Sequence, residues 1–316
     1  MARWQNYSSP TPGEPVNPAK ARAERRSSHR QFPTIPPALR PTDQGRSRSV
    51  DPTRAAWQPT PMPNNATGDS SMVPTGRLIP TLQADGYTQM ALDQMLLEQC
   101  QTSQTSGPML RFYRWEGPWL SLGRHQQHWP NSWDELVRSK TIAMVRRPSG
   151  GRAVLHAGGL TYALVWPDAP RRRKQAYRDA CQWLIDGFSS LGLALRFGDE
   201  TASVAHPNCF ARSTAADLVD QEGIKRIGSA QRWQHGCLLQ HGEILLDPPQ
   251  ELWQSIFTES APPPAPGSIP REGLDQHLSN ALQTVWNHVN WSTDALTNQE
   301  GEALASLVSS SSSTVC

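Results

Sequence analysis

Apolar residues in this chain take up a regular spacing only after about residue 76, and that break decides which part can fold. Half of the 28 prolines lie in the first 80 residues, with Ser, Thr, Asn and Arg filling most of the remainder. Such a stretch buries too little apolar surface to offset its ordering entropy. Residues 1–75 are therefore expected to be a disordered Pro/Ser/Arg-rich tail. Its arginines, among them Arg22, Arg25, Arg26 and Arg30, suit a solvated tail or a start assigned too far upstream, with Met72 the natural start. An Arg- and Ser-rich, acid-poor transit peptide is the next reading, and an RNA- or membrane-contacting arm the last.

After the break the pattern alternates between helix and strand periods. Met90, Leu92, Met95, Leu96 and Leu97 fit a helix that buries one face. LRFYRW and WLSLG flank the Glu116-Gly117-Pro118 turn as two strands. Trp133 to Ser139 reads as a short helix and Ile142 to Arg147 as a strand. Ala153 to His156 and Leu160 to Trp166 read as a hairpin about Ala157-Gly158-Gly159. Gln175 to Leu191 is a helix with Tyr177, Cys181, Leu184 and Phe188 on one face. Leu193 to Phe197 and Leu238 to Leu246 are strands, and Leu274 to Val289 is a closing helix. Strand pairs separated by helices, without regular βαβ alternation, predict an α+β domain with a mixed or antiparallel sheet over 76–292. The serine-rich end, 293–316, is expected to be a flexible C-terminal tail.

Composition narrows the function classes. The net charge of +2 gives no global polyanion signal, and no run approaches the roughly 18 apolar residues of a membrane helix. Neither a nucleic acid nor a membrane is expected as a partner. The five cysteines, Cys100, Cys181, Cys209, Cys237 and Cys316, are odd in number and lack CxxC spacing, which argues against a zinc site and against a disulfide framework. Free thiols in a reducing cytosol are the simplest reading, so one of them is available as a nucleophile.

Three segments carry candidate chemistry. RRPSGGRAVLH (146–156) puts Arg146 and Arg147 before a Ser149-Gly150-Gly151 turn, and Arg152, Ala153, Val154 and His156 after it. Glycines let backbone approach a ligand, and exposed N–H groups beside Arg147 and Arg152 suit a phosphate, carboxylate or carbonyl oxygen. An ordinary hairpin with surface arginines is the equal alternative, because neither GxxxxGK[ST] nor GxGxxG is present. GIKRIGSAQ (223–231) reads as a strand and turn, with Lys225 and Ile227 on one face, Arg226 on the other, and the small Gly228, Ser229 and Ala230 following. Its lysine is either solvated or a site residue. LLQHGEILLD (238–247) interrupts an apolar strand with Gln240, His241 and Gly242, which need partners inside.

Together these segments resemble the biotin/lipoate protein ligase family. MALDQMLLE (90–98) is similar to its opening helix, LRFYRWEGPWLSLGRHQ (110–126) to its Trp-containing strand pair, and RRPSGGRAVLHAGGLTYAL (146–164) to its substrate loop and strand. The two later motifs follow in order, and the resemblance covers most of 86–250. It implies a class II synthetase-like catalytic domain that binds substrate through 146–156, Gly228–Ala230 and His241. Within the family the chain is closest to the ligase-like octanoyltransferases. Asn208-Cys209-Phe210 sits about sixteen residues before Lys225, resembling their nucleophilic cysteine and partner lysine, although Ala157 stands where those enzymes usually carry an acid. ARSTAADLV (211–219) likewise differs from their more apolar, Pro-containing run.

The resemblance implies transfer of octanoyl from acyl-carrier protein, through a Cys209 thioester, to a lysine of a lipoyl domain, either of glycine cleavage H protein or of a 2-oxoacid dehydrogenase E2. A lysine ammonium would favour the thiolate. Backbone N–H groups of the 149–152 or 228–230 turn would hold the oxyanion, and Val154 and Leu155 would line the acyl tunnel. This route needs no cofactor. The alternative is a lipoate-protein ligase, which needs ATP and Mg2+ and passes through lipoyl-adenylate. A third reading is a non-catalytic relative that binds an acylated or biotin-like ligand. The expected compartment is the cytoplasm, with an organelle as the alternative.

Overall fold

The computed structural model describes residues 73–102, 107–198, 210 and 216–312. The chain divides into two units, Met1–Ala66 and Thr67–Cys316, and every described residue belongs to the second. The expected tail up to residue 72, and Cys209, lie outside the described residues.

Eight strands form the main sheet: β1 (Thr75–Ala84), β2 (Met109–Trp115), β6 (Gly159–Trp166), β7 (Arg196–Phe197), β8 (Leu218–Val219), β9 (Lys225–Gln234), β10 (Cys237–Leu245) and β11 (Asn290–Thr293). Their order is β11-β1-β2-β6-β10-β9-β8-β7. β1 runs parallel to both its neighbours, and the remaining pairings are antiparallel. The sheet is therefore mixed. A smaller one holds β3 (Trp119–Leu122) between β4 (Ala143–Arg146) and β5 (Val154–His156).

Each face of the main sheet is covered, which is why its central strands are apolar almost throughout. Leu160, Tyr162 and Leu164 of β6 turn toward α3 (Arg173–Ser190) and α5 (Leu274–Val285). Ala163 and Val165, one residue out of phase, turn toward α1 (Gly86–Gln101), as the period of two requires. Asp85 caps α1 by accepting from the Thr88 N–H at 2.9 Å. The small sheet packs on α2 (Asn131–Arg138) and α4 (Gln250–Phe257) in a third apolar cluster.

Several expectations are corrected. β5 and β6 are not a hairpin: β5 pairs with β3 while β6 pairs with β2 and β10. Gly158, at φ +70°, turns the chain from one sheet to the other, and its carbonyl accepts from Asp247 N at 2.7 Å. The Gly228–Ala230 stretch is not a turn but the middle of β9, paired with β10. The Leu193–Phe197 strand shrinks to β7, and the closing helix ends at Val285, with β11 following it. The expected free thiols are corrected too, because a disulfide joins Cys100 of α1 to Cys237 of β10. Among the described residues Cys181 is the free cysteine.

The described part of 293–316 is folded rather than loose. α6 (Asn298–Ser312) packs on α1 with Leu304 buried. Arg77 clamps its start by donating to both Glu300 oxygens, at 2.7 and 2.9 Å.

Candidate functional site

The Gly-rich loop is organised around one buried cation. Arg147 donates through Nη1 to the Ser121 carbonyl at 2.8 Å, and through Nη2 to the carbonyls of Gly150 and Arg152 at 2.7 and 2.6 Å. A loop that wraps a guanidinium in this way presents its carbonyls inward. Gly151 is obligatory: its φ is +98°, and a β-carbon there would lie 2.7 Å from Arg147 Nη2.

Behind the loop, β10 carries His241 and Glu243 on one face, and each anchors a serine–histidine–carboxylate chain. Asp93 of α1 accepts from His241 Nδ1 at 2.8 Å, and His241 Nε2 bonds Ser149 Oγ of the loop. Asp93 also accepts from Arg111 Nε at 2.9 Å and from the Tyr113 hydroxyl at 3.0 Å. Burial alone would raise the Asp93 carboxyl. The Arg111 charge and the His241 hydrogen bond outweigh it and hold the pKa below the ordinary range. Asp93 is then an anion that accepts from His241 Nδ1, and the other ring nitrogen, Nε2, shares a hydrogen bond with Ser149 Oγ.

The second chain repeats the logic. Glu243 Oε2 accepts from His156 Nδ1 at 2.7 Å and from the Thr161 hydroxyl. His156 Nε2 lies 2.8 Å from Ser121 Oγ, which itself accepts from Arg147 Nη1 at 3.2 Å. Burial lowers the His156 pKa despite the adjacent Glu243, so the ring is neutral and Ser121 donates to it. Trp115 stacks on that ring with centroids 4.0 Å apart and donates through Nε1 to Thr161 Oγ1 at 2.8 Å.

Between these chains lies a cavity of about 450 Å³, counting its open mouth, walled by Met90, Arg147, Gly151, Val154, His156 and His241 on one side. Gly228, Ser229 and Ala230 of β9 close the other side. Sequence reasoning had placed most of this wall. Arg146 is away from the cavity: it is exposed and donates to the carbonyls of Gly123 and Gln126, both at 2.8 Å. Ser149, Gly150, Arg152 and Ala153 support the loop rather than line the cavity, and Leu155 packs in the small-sheet core instead of a tunnel.

Lys225 is buried and pairs with Asp217, Nζ to Oδ2 at 3.0 Å. Its Nζ also lies 4.9 Å from the centre of the Phe210 ring. The register between β8 and β9 shifts at Leu218/Val219, and Lys225 Cε comes 3.0 Å from where a Gly228 β-carbon would stand. The lysine thus shares the face of Gly228, not that of Ile227 as a regular strand would have it. Sequence reasoning missed Asp93, Ser121, Thr161, Asp217 and Glu243. Asp93 and Glu243 carried a legible signal: Asp93 falls among the apolar positions of α1, and Glu243 follows Gln240, His241 and Gly242 in the polar interruption of β10. Asp217 and Ser121 carried none.

The profile of the lipoyl protein ligase A/B catalytic domain matches residues 85–280. The chain belongs to that family. Among curated relatives, octanoyltransferase LipM of Lysinibacillus sphaericus is 39% identical over 184 residues, 54% of this chain and 66% of that protein. Octanoyltransferase LipM of Bacillus subtilis is 36% identical over 223 residues, 67% of this chain and 77% of its own length. The chain thus spans just under two thirds of the first of these relatives. Of solved structures, a putative lipoate protein ligase from T. acidophilum with bound lipoic acid superposes with a TM-score of 0.62 at 21% identity. The match covers 74% of this chain and 95% of that one. A lipoate-protein ligase A bound with ATP gives 0.60 at 20%, covering 74% and 94%. These two likenesses establish the family fold.

Proposed function

We propose that the chain is an octanoyltransferase of protein lipoylation, an acyltransferase that works through a thioester on Cys209. The observation that carries this reading is the buried Lys225–Asp217 pair behind the Gly228 wall of the acyl cavity. Phe210, the residue that follows Cys209 in the chain, lays its ring against that ammonium. A family relationship to proteins named octanoyltransferases, at 36–39% identity, supports the same choice.

The thiol of Cys209 attacks the octanoyl thioester of acyl-carrier protein. The new C–S bond forms, the old one breaks, and the carrier leaves as a thiol with the proton that Cys209 gave up. The lysine amine of a lipoyl domain, in H protein or an E2 subunit, then displaces Cys209 and leaves an octanoyl amide. Thioester exchange is close to isoenergetic and amide formation runs downhill, so the sequence of steps needs neither ATP nor Mg2+. Met90 and Val154 contribute apolar wall for the chain. Arg147 and Gly151 line the cavity, so part of the guanidinium charge, otherwise spent on the loop carbonyls, acts on a developing oxyanion there. The two histidines hold the loop and the wall in place through their bonds to Ser149 and Glu243. Among the described residues no helix is long and apolar enough to cross a membrane.

Reconstitution tests the reading. Octanoyl-carrier protein and an unmodified lipoyl domain, without ATP, should yield octanoylated domain at a rate set by this chain. Product that forms only with free lipoate, ATP and Mg2+ would mark a lipoate-protein ligase instead.

A further inference from the structure

Ser121, His156 and Glu243 form a serine–histidine–carboxylate chain that opens on the cavity, and transfer through Cys209 gives it no chemical task. Ser121 Oγ lies 2.8 Å from His156 Nε2, and His156 Nδ1 lies 2.7 Å from Glu243 Oε2. All three residues are buried from bulk solvent, yet all three line the cavity. Nucleophile, base and orienting carboxylate in this order make a hydroxyl reactive. A neutral ring takes the proton as the oxygen attacks, and the carboxylate steadies the cation that forms.

The surroundings favour that step. Trp115 stacks on the His156 ring with centroids 4.0 Å apart, and the Thr161 hydroxyl shares Glu243 with it. The base is therefore held by packing as well as by its own hydrogen bonds. Arg147 Nη1 lies 3.2 Å from Ser121 Oγ. A buried guanidinium there lowers the cost of negative charge on that oxygen and on a carbonyl it attacks. Met90 and Val154 supply apolar wall for an acyl chain. The twin chain, Ser149–His241–Asp93, has the same order but not the opening, because Ser149 is not part of the cavity wall.

We infer that Ser121 is a second nucleophile, and that the cavity hydrolyses acyl esters and thioesters through an acyl-serine. The inference goes beyond transfer through Cys209 and does not depend on it. Ser121 Oγ bonds to the acyl carbon, and the bond from that carbon to the alkoxide or thiolate breaks. The hydroxyl proton moves to His156 Nε2 and then to the leaving group. Water next attacks the acyl carbon and gives its proton to Nε2. The ester bond to Ser121 breaks, Oγ recovers the proton, and a free carboxylic acid departs.

The test uses the full chain carrying Cys209→Ala, which lacks the transferase nucleophile. A fluorophosphonate probe, which forms an Oγ–P bond as fluoride leaves, should add once, and peptide mapping should place it on Ser121. This chain should hydrolyse p-nitrophenyl octanoate, and adding Ser121→Ala should lower the rate by about 100-fold or more. The pH profile reports the base. Burial lowers the His156 pKa most, Glu243 raises it, and Arg147 and His241 lower it. Hydrolysis should therefore persist at neutral pH and fall in acid. Glu243→Gln should reduce the plateau and move the acid limb to lower pH. An adduct on any other residue, Ser149 included, overturns the inference. So does hydrolysis no faster than in buffer, or a rate that Ser121→Ala leaves unchanged. The mapped adduct decides the matter even if Ser121→Ala folds poorly. Every arm lacks Cys209, so failure here leaves the transferase reading intact, and failure of octanoyl transfer by the parent chain leaves this one.

Discussion

Asp93→Asn removes one negative charge from a site that buries a positive one. The Arg111 side chain is 1% exposed and Asp93 is fully enclosed, so the guanidinium loses its compensation without gaining water. Breaking such a pair from one side costs about 3–5 kcal/mol. For a domain of this size that lowers Tm by about 6–20 °C. A second effect is local. An asparagine amide facing Tyr113 and His241 sets donor against donor, which breaks the chain from residue 93 through His241 to Ser149. The loop loses its orientation, and acyl transfer should fall more than the population of folded protein does. The pH dependence separates the charge from the shape. The folded Asp93 pKa lies below the ordinary value near 3.9. Its contribution is therefore fully present above that value and is lost as the pH falls through the depressed one. Urea titrations at pH 7 and between pH 5 and 3 should show the gap between parent and variant closing in acid. A loss below about 1 kcal/mol at pH 7 would refute the claim that this pair holds α1 to β2.

Three other outcomes follow from single observations. Gly159→Ala places a β-carbon within bonding range of Glu243 Oε1 and 2.8 Å from the Ile244 carbonyl. It should destabilise by about 1–3 kcal/mol and pull Glu243 away from His156; because Glu243 raises the pKa of that buried ring, a further fall in its NMR-titrated pKa would report the change. The Cys100–Cys237 bridge closes 137 residues of chain, so reduction should cost about 2–5 kcal/mol; alkylation of both thiols under non-reducing, denaturing conditions would disprove the bridge. Arg77 holds the Glu300 carboxyl down to about 2, so the stability it adds is present above the ordinary glutamate range and disappears as the pH falls toward that value. Glu300→Gln should cost about 1 kcal/mol at neutral pH and raise amide exchange across α6.

The sequence carried the mixed fold and most of the cavity wall, because both depend on local signals. Period-two apolar runs mark β6 and β10, and the Ser-Gly-Gly turn marks the loop. What it did not carry is long-range pairing. Nothing in Ala153–His156 says that β5 leaves its neighbour for β3, since the connection through Gly158 has hairpin length. Asp217 and Lys225 are eight residues apart across a bulge, and a regular strand puts that lysine on the opposite face. Cys100 and Cys237 meet only because α1 lies across the end of β10. β11 is too short and polar to register, and it takes its place only because β1 offers an open edge. The role of Arg147 was displaced rather than missed: its charge was expected to face a ligand, and much of it is spent on loop carbonyls.

The central claim is that acyl transfer passes through Cys209 without nucleotide. Intact-mass analysis of the full chain, mixed with octanoyl-carrier protein and no ATP, tests it most directly. The account predicts one octanoyl adduct that hydroxylamine removes, that peptide mapping assigns to Cys209, and that Cys209→Ser abolishes. An unmodified parent chain, or an adduct that requires free acid and ATP, would contradict it.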